Sequence, residues 1–325
     1  MSDPFESELV SAALEHVTGG RKRIALLALT PTALRVRRQL IELAPSADML
    51  GIFDPDVDAG FEGSNWSDLV DTEPELLIVC ADAEKQHVLA AYRDLERSSP
   101  PAPGEVPFVV IAGTAHLAFR DALFEEVSAP TLAPSYANGT PNTLVHLYQC
   151  LQAAASNELR GAVVEFGCFK GGTSVLLSRI VKRLGLRDCP LLAFDSFAGF
   201  PPPRSALDLY CHPRCEFTAE EEVRAYLEPH GVEIVSGDIA ESYKRLEGMP
   251  LLLCFFDTDN YTPARAALEL CVDQLVPGGA IVFDHYATMP DFVYTLGERM
   301  AADEVLANRG LLHLHDTGVF VKLGA

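Results

Sequence analysis

The chain has 325 residues, with 25 Lys and Arg against 46 Asp and Glu, for a formal net charge of −21. That length exceeds one ordinary core and suits two domains of roughly 100–200 residues each. A composition of 48% hydrophobic and 22% charged residues excludes a disordered chain, and the lack of clustered Lys and Arg argues against nucleic acid or anionic membrane as partners.

The N-terminus, MSDPFESELV, has neither the basic nor the apolar region of a signal peptide. No apolar run approaches the ~18 residues of a membrane span. Eight cysteines, among them Cys80, Cys150, Cys254 and Cys271 in apolar segments, fit a reducing compartment. The expectation is a cytoplasmic protein.

A helix is predicted from Pro4 to Val17, closed by Gly19-Gly20, then a strand from Arg23 to Leu29 and a helix from Thr32 to Leu43. Strands at Met49–Phe53, Leu76–Cys80 and Phe108–Ile111 follow, with a helix from Ala83 to Arg97 among them. The first strand–helix turn, LALTPTAL, has Thr30-Pro31-Thr32 where a dinucleotide loop needs glycines. The stretch SAPTLAPSYANGTPNT, 128–143, reads as a linker or crossing loop.

A second α/β pattern begins with a helix from Leu144 to Ala155. Strands are expected at Ala162–Phe166, Leu191–Phe194, Val232–Val235, Leu251–Phe256 and Ala280–Phe283. Helices fall at Thr173–Leu184, Ala219–Glu228 and Pro263–Leu275, and the chain ends in a hairpin whose last strand, Val319–Lys322, returns antiparallel. Continuous apolar runs alternating with amphipathic helices indicate parallel sheets covered on both faces.

The strongest local signal is Glu165-Phe-Gly-Cys-Phe-Lys-Gly-Gly-Thr173, which follows a buried strand and opens a helix. Gly167, Gly171 and Gly172 permit a tight turn and close approach of a ligand to the backbone. Asp195, ending the next strand, suits a ribose diol. Asp238, in Ser236-Gly237-Asp238-Ile239, lies where it faces an adenine or merely makes a turn. Asp257 and Asp284 end two adjacent strands, with Asp259 and His285 beside them, a set suited to Mg²⁺ or a similar ion.

Other candidates are weaker. Cys211-His-Pro-Arg-Cys215 looks like half a zinc site, but no second ligand pair follows at a suitable distance. His313 and His315 alternate along a strand and read as surface or lid residues. The glycine spacing and the lack of Tyr-x-x-x-Lys disfavour a nicotinamide oxidoreductase.

Residues from about 140 to 325 resemble the macrocin-type O-methyltransferase family, which methylates hydroxyls of natural-product sugars with S-adenosylmethionine (SAM). The matching stretches are VVEFGCFKGGTS, AFDSFAGFP, SGDI, FFDTDNYTPARAALE and LVPGGAIVFDHY. The resemblance implies that Glu165, Gly167, Lys170, Gly171, Gly172 and Thr173 hold the methionine part of SAM. Asp195, with Ser196 and Phe197, would hold the ribose, and Gly237, Asp238 and Ile239 would frame the adenine. Asp257 and Asp284 would be metal ligands. Where the family usually has Asp-Asp-Tyr, this chain has Asp284-His285-Tyr286. Either His285 is a nitrogen ligand, or the metal is lost and His285 is the general base.

The sequence therefore predicts an α/β protein in which a class I methyltransferase-like doubly wound sheet, mostly parallel with its last strand antiparallel, follows a smaller Rossmann-like domain. Boundaries are expected at 1–130, an accessory domain for dimerisation or for the acceptor pocket, and 131–325, the methyltransferase domain. The expected activity is SAM-dependent O-methylation of a small-molecule hydroxyl, with Asp257, Asp259 and His285 as catalytic residues and a divalent metal on Asp257, Asp284 and His285. A homodimer is the default assembly. The rival is a SAM- or nucleoside-binding module that acts as a regulatory or assembly partner without methyl transfer. The segment 201–220 sits where it can form part of a lid.

Overall fold

The computed structural model describes residues 3–57, 63–101, 105–129, 143–212, 219–287 and 293–324. The chain divides into two compact units, Met1–Phe119 and Arg120–Ala325. Among the described residues, no helix is long and apolar enough to cross a membrane.

The first unit runs α1 (Pro4–Thr18), β1 (Arg23–Leu27), α2 (Pro31–Leu43), β2 (Asp48–Phe53), β3 (Leu76–Val79), α3 (Lys85–Ser98) and β4 (Phe108–Val110). Its four strands are parallel in the order β2-β1-β3-β4. Side chains alternate across the sheet. Ile24 and Leu26 pack with Leu9 of α1 and Val36 of α2, whereas Ala25 and Leu27 face Leu69 and Val88 on the other side. Both faces are covered, so the strands read as unbroken apolar runs.

The second unit begins with α4 (Ala122–Ser128) and α5 (Thr143–Ser156), followed by β5 (Ala162–Phe166), α6 (Gly172–Leu184) and β6 (Leu191–Asp195). It continues through α7 (Glu220–Leu227), β7 (Val232–Ser236), α8 (Ile239–Ser242), β8 (Leu251–Phe256) and α9 (Tyr261–Gln274). Finally come β9 (Leu275–Phe283), α10 (Leu296–Leu306), β10 (Leu311–His313) and β11 (Val319–Lys322). Tyr148 Oη of α5 donates to Asp121 at 2.8 Å, and Arg183 pairs with Glu126 at 3.0 Å, so residues 121–128 pack with this unit. Residues 130–142, most of the Pro- and Ser-rich stretch, lie outside the described residues.

The seven strands order as β10-β11-β9-β8-β5-β6-β7. Only β11 runs against its neighbours, pairing antiparallel with both β9 and β10. This is the expected doubly wound sheet with an antiparallel last strand. One face packs Val163, Ala193 and Phe255 against Leu151 and Leu177 of α5 and α6; the other packs Val164, Phe194 and Cys254 against Leu268 of α9 and Val305 of α10. Strand order reverses between β5 and β8, so their carboxyl ends open a crevice where such sheets bind ligands.

The short helices α4 and α8 have no predicted counterpart, and two larger elements also depart from the sequence reading. The strand β9 starts at Leu275 rather than Ala280, because its register with β8 shifts between Leu251 and Leu253 and admits Pro277, Gly278 and Gly279. The helix α10 carries no clear periodic signal, since Gly297 opens it and its buried set includes Glu298 alongside Ala301, Ala302 and Val305.

Candidate active site

A cavity of about 500 Å³ lies at the carboxyl edge of the second sheet, between the ends of β5, β6, β7, β8 and β9. Its floor is the turn after β5. Gly167 there has φ +95°, and a Cβ at this position would lie 2.0 Å from the Asp257 carbonyl oxygen. Only a residue without a side chain lets the ends of β5 and β8 approach this closely. Gly171, φ +82°, caps α6, whose first turn buries Gly172 and Thr173.

Glu165 lies beneath the turn, 2% exposed, and accepts a hydrogen bond from Ser174 Oγ. Burial pushes its carboxyl up to about 8. It does not line the cavity, and neither do Lys170, Gly171, Gly172, Thr173 or Phe197. Lys170 Nζ sits 5.0 Å from the centre of the Phe169 ring.

Asp195 ends β6 and lines the cavity. Its Oδ2 accepts from Phe169 N–H at 2.7 Å and its Oδ1 from Phe197 N–H at 3.0 Å. It thereby holds both flanking loops, and each oxygen keeps a further lone pair for a ligand hydroxyl. Ser196 donates to the Gly199 carbonyl at 2.8 Å, which shapes the same rim. After β7, Gly237 takes φ +131° and donates to the Asp195 carbonyl at 2.9 Å. Asp238 caps α8, just ahead of Ile239, and pairs with Arg204 at 2.9 Å.

The acidic end is denser than the sequence suggests. His285 Nδ1 lies 3.3 Å from Asp259 and 3.6 Å from Asp257, and its Nε2 lies 3.3 Å from Asp284 Oδ2. The side chains of Asp257, Asp259 and His285 are 14, 13 and 4% exposed, and all three residues line the cavity. Asp284 has no exposed side-chain surface and stands behind the imidazole, outside the lining. Among the described residues, Asp257, Asp259 and His285 offer ligand atoms within 4.8 Å of one another, whereas Asp284 lies outside that set.

Burial pushes the carboxyls of Asp257 and Asp259 well up, and repulsion from neighbouring carboxylates adds to it. Burial holds the His285 imidazole down at about 4, so it is neutral at pH 7. Crowded acids beside a neutral imidazole fit a divalent cation, which would replace the protons the acids otherwise retain. Two oxygens and one nitrogen form a softer donor set than carboxylates alone.

These shifts fix a pH dependence. An acid with a raised native pKa keeps its proton in the folded chain after the unfolded chain has lost it, so stability falls as pH climbs between the two values. Glu165, at about 8, and Glu298, at about 7, act this way. His285, His146 and His230, all lowered by burial, oppose it, but only below their ordinary value of 6.5. The melting temperature of the cation-free protein is therefore expected to fall from pH 6.5 to 8, and Glu165→Gln to flatten the fall. A melting temperature that is constant or rises over that window would contradict the assignment.

Several lining residues were not singled out individually in the sequence. Phe169 lies within the glycine turn, and Phe200, Pro202, Arg204, Asp208 and Tyr210 come from the segment after β6. Asp208 accepts from Thr262 N–H at 2.8 Å and from Thr262 Oγ1 at 2.7 Å, which ties that segment to α9. Asn260 is buried and exchanges two 2.9 Å hydrogen bonds with the Tyr210 backbone. Residues 201–212 thus form part of the cavity wall, while 213–218 of the segment 201–220 lie outside the described residues.

Of the half zinc motif, Cys211 is exposed, and Cys215 lies outside the described residues. His313 stacks on Phe320 at 4.4 Å and contacts the Thr317 carbonyl at 2.8 Å, a structural role in the terminal hairpin.

Residues 128–322 match the family model of the macrocin O-methyltransferases. The chain is 28% identical over 159 residues to a tetracenomycin-C rhamnosyl 4'-O-methyltransferase of Streptomyces olivaceus, covering 44% of this chain and 60% of that one. It is 25% identical over 157 residues to the mycinamicin III 3''-O-methyltransferase of Micromonospora griseorubida, covering 44% and 62%. The chain thus spans about 60% of the length of the curated relatives it matches. Among solved structures, the O-methyltransferase NovP is similar at 22% identity and a TM-score of 0.46, over 56% of this chain and 79% of that one. The calicheamicin methyltransferase CalS11 is similar at 18% and 0.47, over 66% and 99%.

Proposed function

As this chain belongs to the macrocin O-methyltransferase family, we propose that it transfers a methyl group from SAM to a hydroxyl of a sugar on a small natural product. The observation that carries this reading is a single cavity that joins the Asp195 rim of a nucleoside site to the Asp257, Asp259 and His285 cluster. When bound, SAM supplies a methyl on a positively charged sulfur, and a divalent cation supplies a charge that lowers the pKa of the acceptor hydroxyl.

The chain's own residues do the rest. Asp195 would accept hydrogen bonds from the ribose hydroxyls, Gly167 would let the methionine part lie against the backbone, and Ile239 with the neighbouring Asp238 would border the adenine. Asp257, Asp259 and His285 would hold the cation, with Asp284 orienting the imidazole from behind. Asp259 has two oxygens, so with one on the cation the other would remain to take the hydroxyl proton. Both ring nitrogens of His285 face carboxylates, which favours a ligand over a base. The wall of residues 201–212 would limit water at the site and help to orient the acceptor.

In the first unit, β1 also runs into a helix, α2. Leu29 N–H is taken by Asp54 at 2.7 Å, Thr30 Oγ1 caps Ala33 N–H at 3.1 Å, and Pro31 has no N–H, so its first turn does not cradle phosphate.

The test is S-adenosylhomocysteine (SAH) formation from SAM with a panel of rhamnosides and other deoxysugar glycosides, after EDTA treatment and with Mg²⁺ or Mn²⁺ restored. Turnover on at least one glycoside is expected. Binding of SAM without methylation of any glycoside or free hydroxylated metabolite would favour the nucleoside-binding rival.

A further inference from the structure

Glu298 belongs to α10, and its side chain is fully buried. One of its oxygens, Oε2, accepts three hydrogen bonds from the turn after β8. They come from Thr258 N–H at 2.7 Å, Thr258 Oγ1 at 2.7 Å and Asp259 N–H at 3.2 Å. Its second oxygen, Oε1, is buried with no hydrogen-bond partner among the described residues. A fully buried acid with one oxygen unsatisfied is costly.

The turn it holds is under strain. Asp259 has φ +60°, a region that favours glycine, and the turn closes with Asn260 N–H on the Thr258 carbonyl at 2.7 Å. Such a conformation persists only where its surroundings hold it. The helix is brought close enough to do so by Gly297, where a Cβ would lie 2.1 Å from the Leu207 carbonyl and 3.0 Å from Tyr261 N. The turn sets the aim of the two carboxylates that flank Thr258, both of which converge on His285 Nδ1.

We infer that Glu298 is a positioning residue: through its hydrogen bonds to Thr258 and Asp259 it aims the Asp257 and Asp259 carboxylates at one cation with His285. The inference rests on the cation half of the proposed function. It explains why a helix remote in sequence buries an acid against a site that is already acidic.

The test uses the full chain, Mn²⁺ followed by electron paramagnetic resonance, SAH binding by calorimetry, and thermal melting. Glu298→Ala is expected to weaken Mn²⁺ at least tenfold while SAH affinity stays within about twofold. Glu298→Gln, which keeps an acceptor oxygen for the turn, is expected to restore Mn²⁺ affinity to within about fivefold of wild type. A merely structural role would lower the melting temperature of both variants without this split. Wild-type Mn²⁺ affinity in Glu298→Ala, or equal loss in both variants, would overturn the inference alone. SAH binding with no Mn²⁺ binding in wild type would overturn it together with the cation, leaving the methyl-transfer reading intact. Should wild type bind neither, that reading falls as well.

Discussion

Alanine in place of His285 is expected to lower methyl transfer by about 100-fold or more, with SAH affinity held within about threefold. The imidazole sits 3.3 Å from Asp259 and 3.6 Å from Asp257, and its loss removes the nitrogen donor around which both acids converge. His285→Asp separates the two roles that imidazole can play. It recreates the Asp-Asp-Tyr run usual in the family, so a ligand role predicts recovered turnover and a preference moved toward Mg²⁺. A general-base role predicts no such dependence on the metal. Initial rates of SAH release across Mg²⁺, Mn²⁺ and Zn²⁺ give the answer. Unchanged turnover in His285→Ala would remove this residue from the chemistry.

Gly167→Ala has the second large effect, and it acts through backbone rather than charge. At φ +95° an alanine carries left-handed strain of about 1–2 kcal/mol. Its Cβ would also lie 2.0 Å from the Asp257 carbonyl oxygen, a main-chain atom fixed by Asp257 N–H on the Phe166 carbonyl at 2.9 Å. Forcing atoms into a packed site costs about 1–3 kcal/mol more. The strand ends must part, so the variant is expected to lose about 2–5 kcal/mol of stability and at least tenfold in SAH affinity. Denaturant midpoints and calorimetry measure the two. A wild-type midpoint with wild-type affinity would mean that the crevice between β5 and β8 is not the ligand floor.

What could be read in advance follows from how local each determinant is. Strands buried on both faces appear as short apolar runs, so Ala162–Phe166 and Leu251–Phe256 coincide with β5 and β8 to the residue. The cavity-lining residues Gly167, Asp195, Asp257 and His285, at the ends of β5, β6, β8 and β9, were legible because a parallel sheet places every carboxyl end on one edge. Side-chain direction was not legible. Asp284 and His285 are neighbours in sequence, yet one lies behind the cluster and the other inside it.

Glu298 was invisible for a related reason. Its helix is seated by Gly297 against Leu207, a contact between segments 90 residues apart, and no periodicity encodes such a contact. Asp208 and Asn260 likewise gain their meaning only when residues 201–212 fold onto α9. In the first unit the missing glycines of Thr30-Pro31-Thr32 were visible, and the structure adds how that turn satisfies its own backbone groups.

Methyl transfer requires that the cavity at the β5–β8 crevice be a SAM site. Calorimetric titration of the EDTA-treated protein with SAH tests it most directly. Micromolar binding is expected, weakened about 10–100-fold in Asp195→Ala by loss of charge-assisted hydrogen bonds to the ribose. No heat of binding in wild type, or equal affinity in Asp195→Ala, would contradict it.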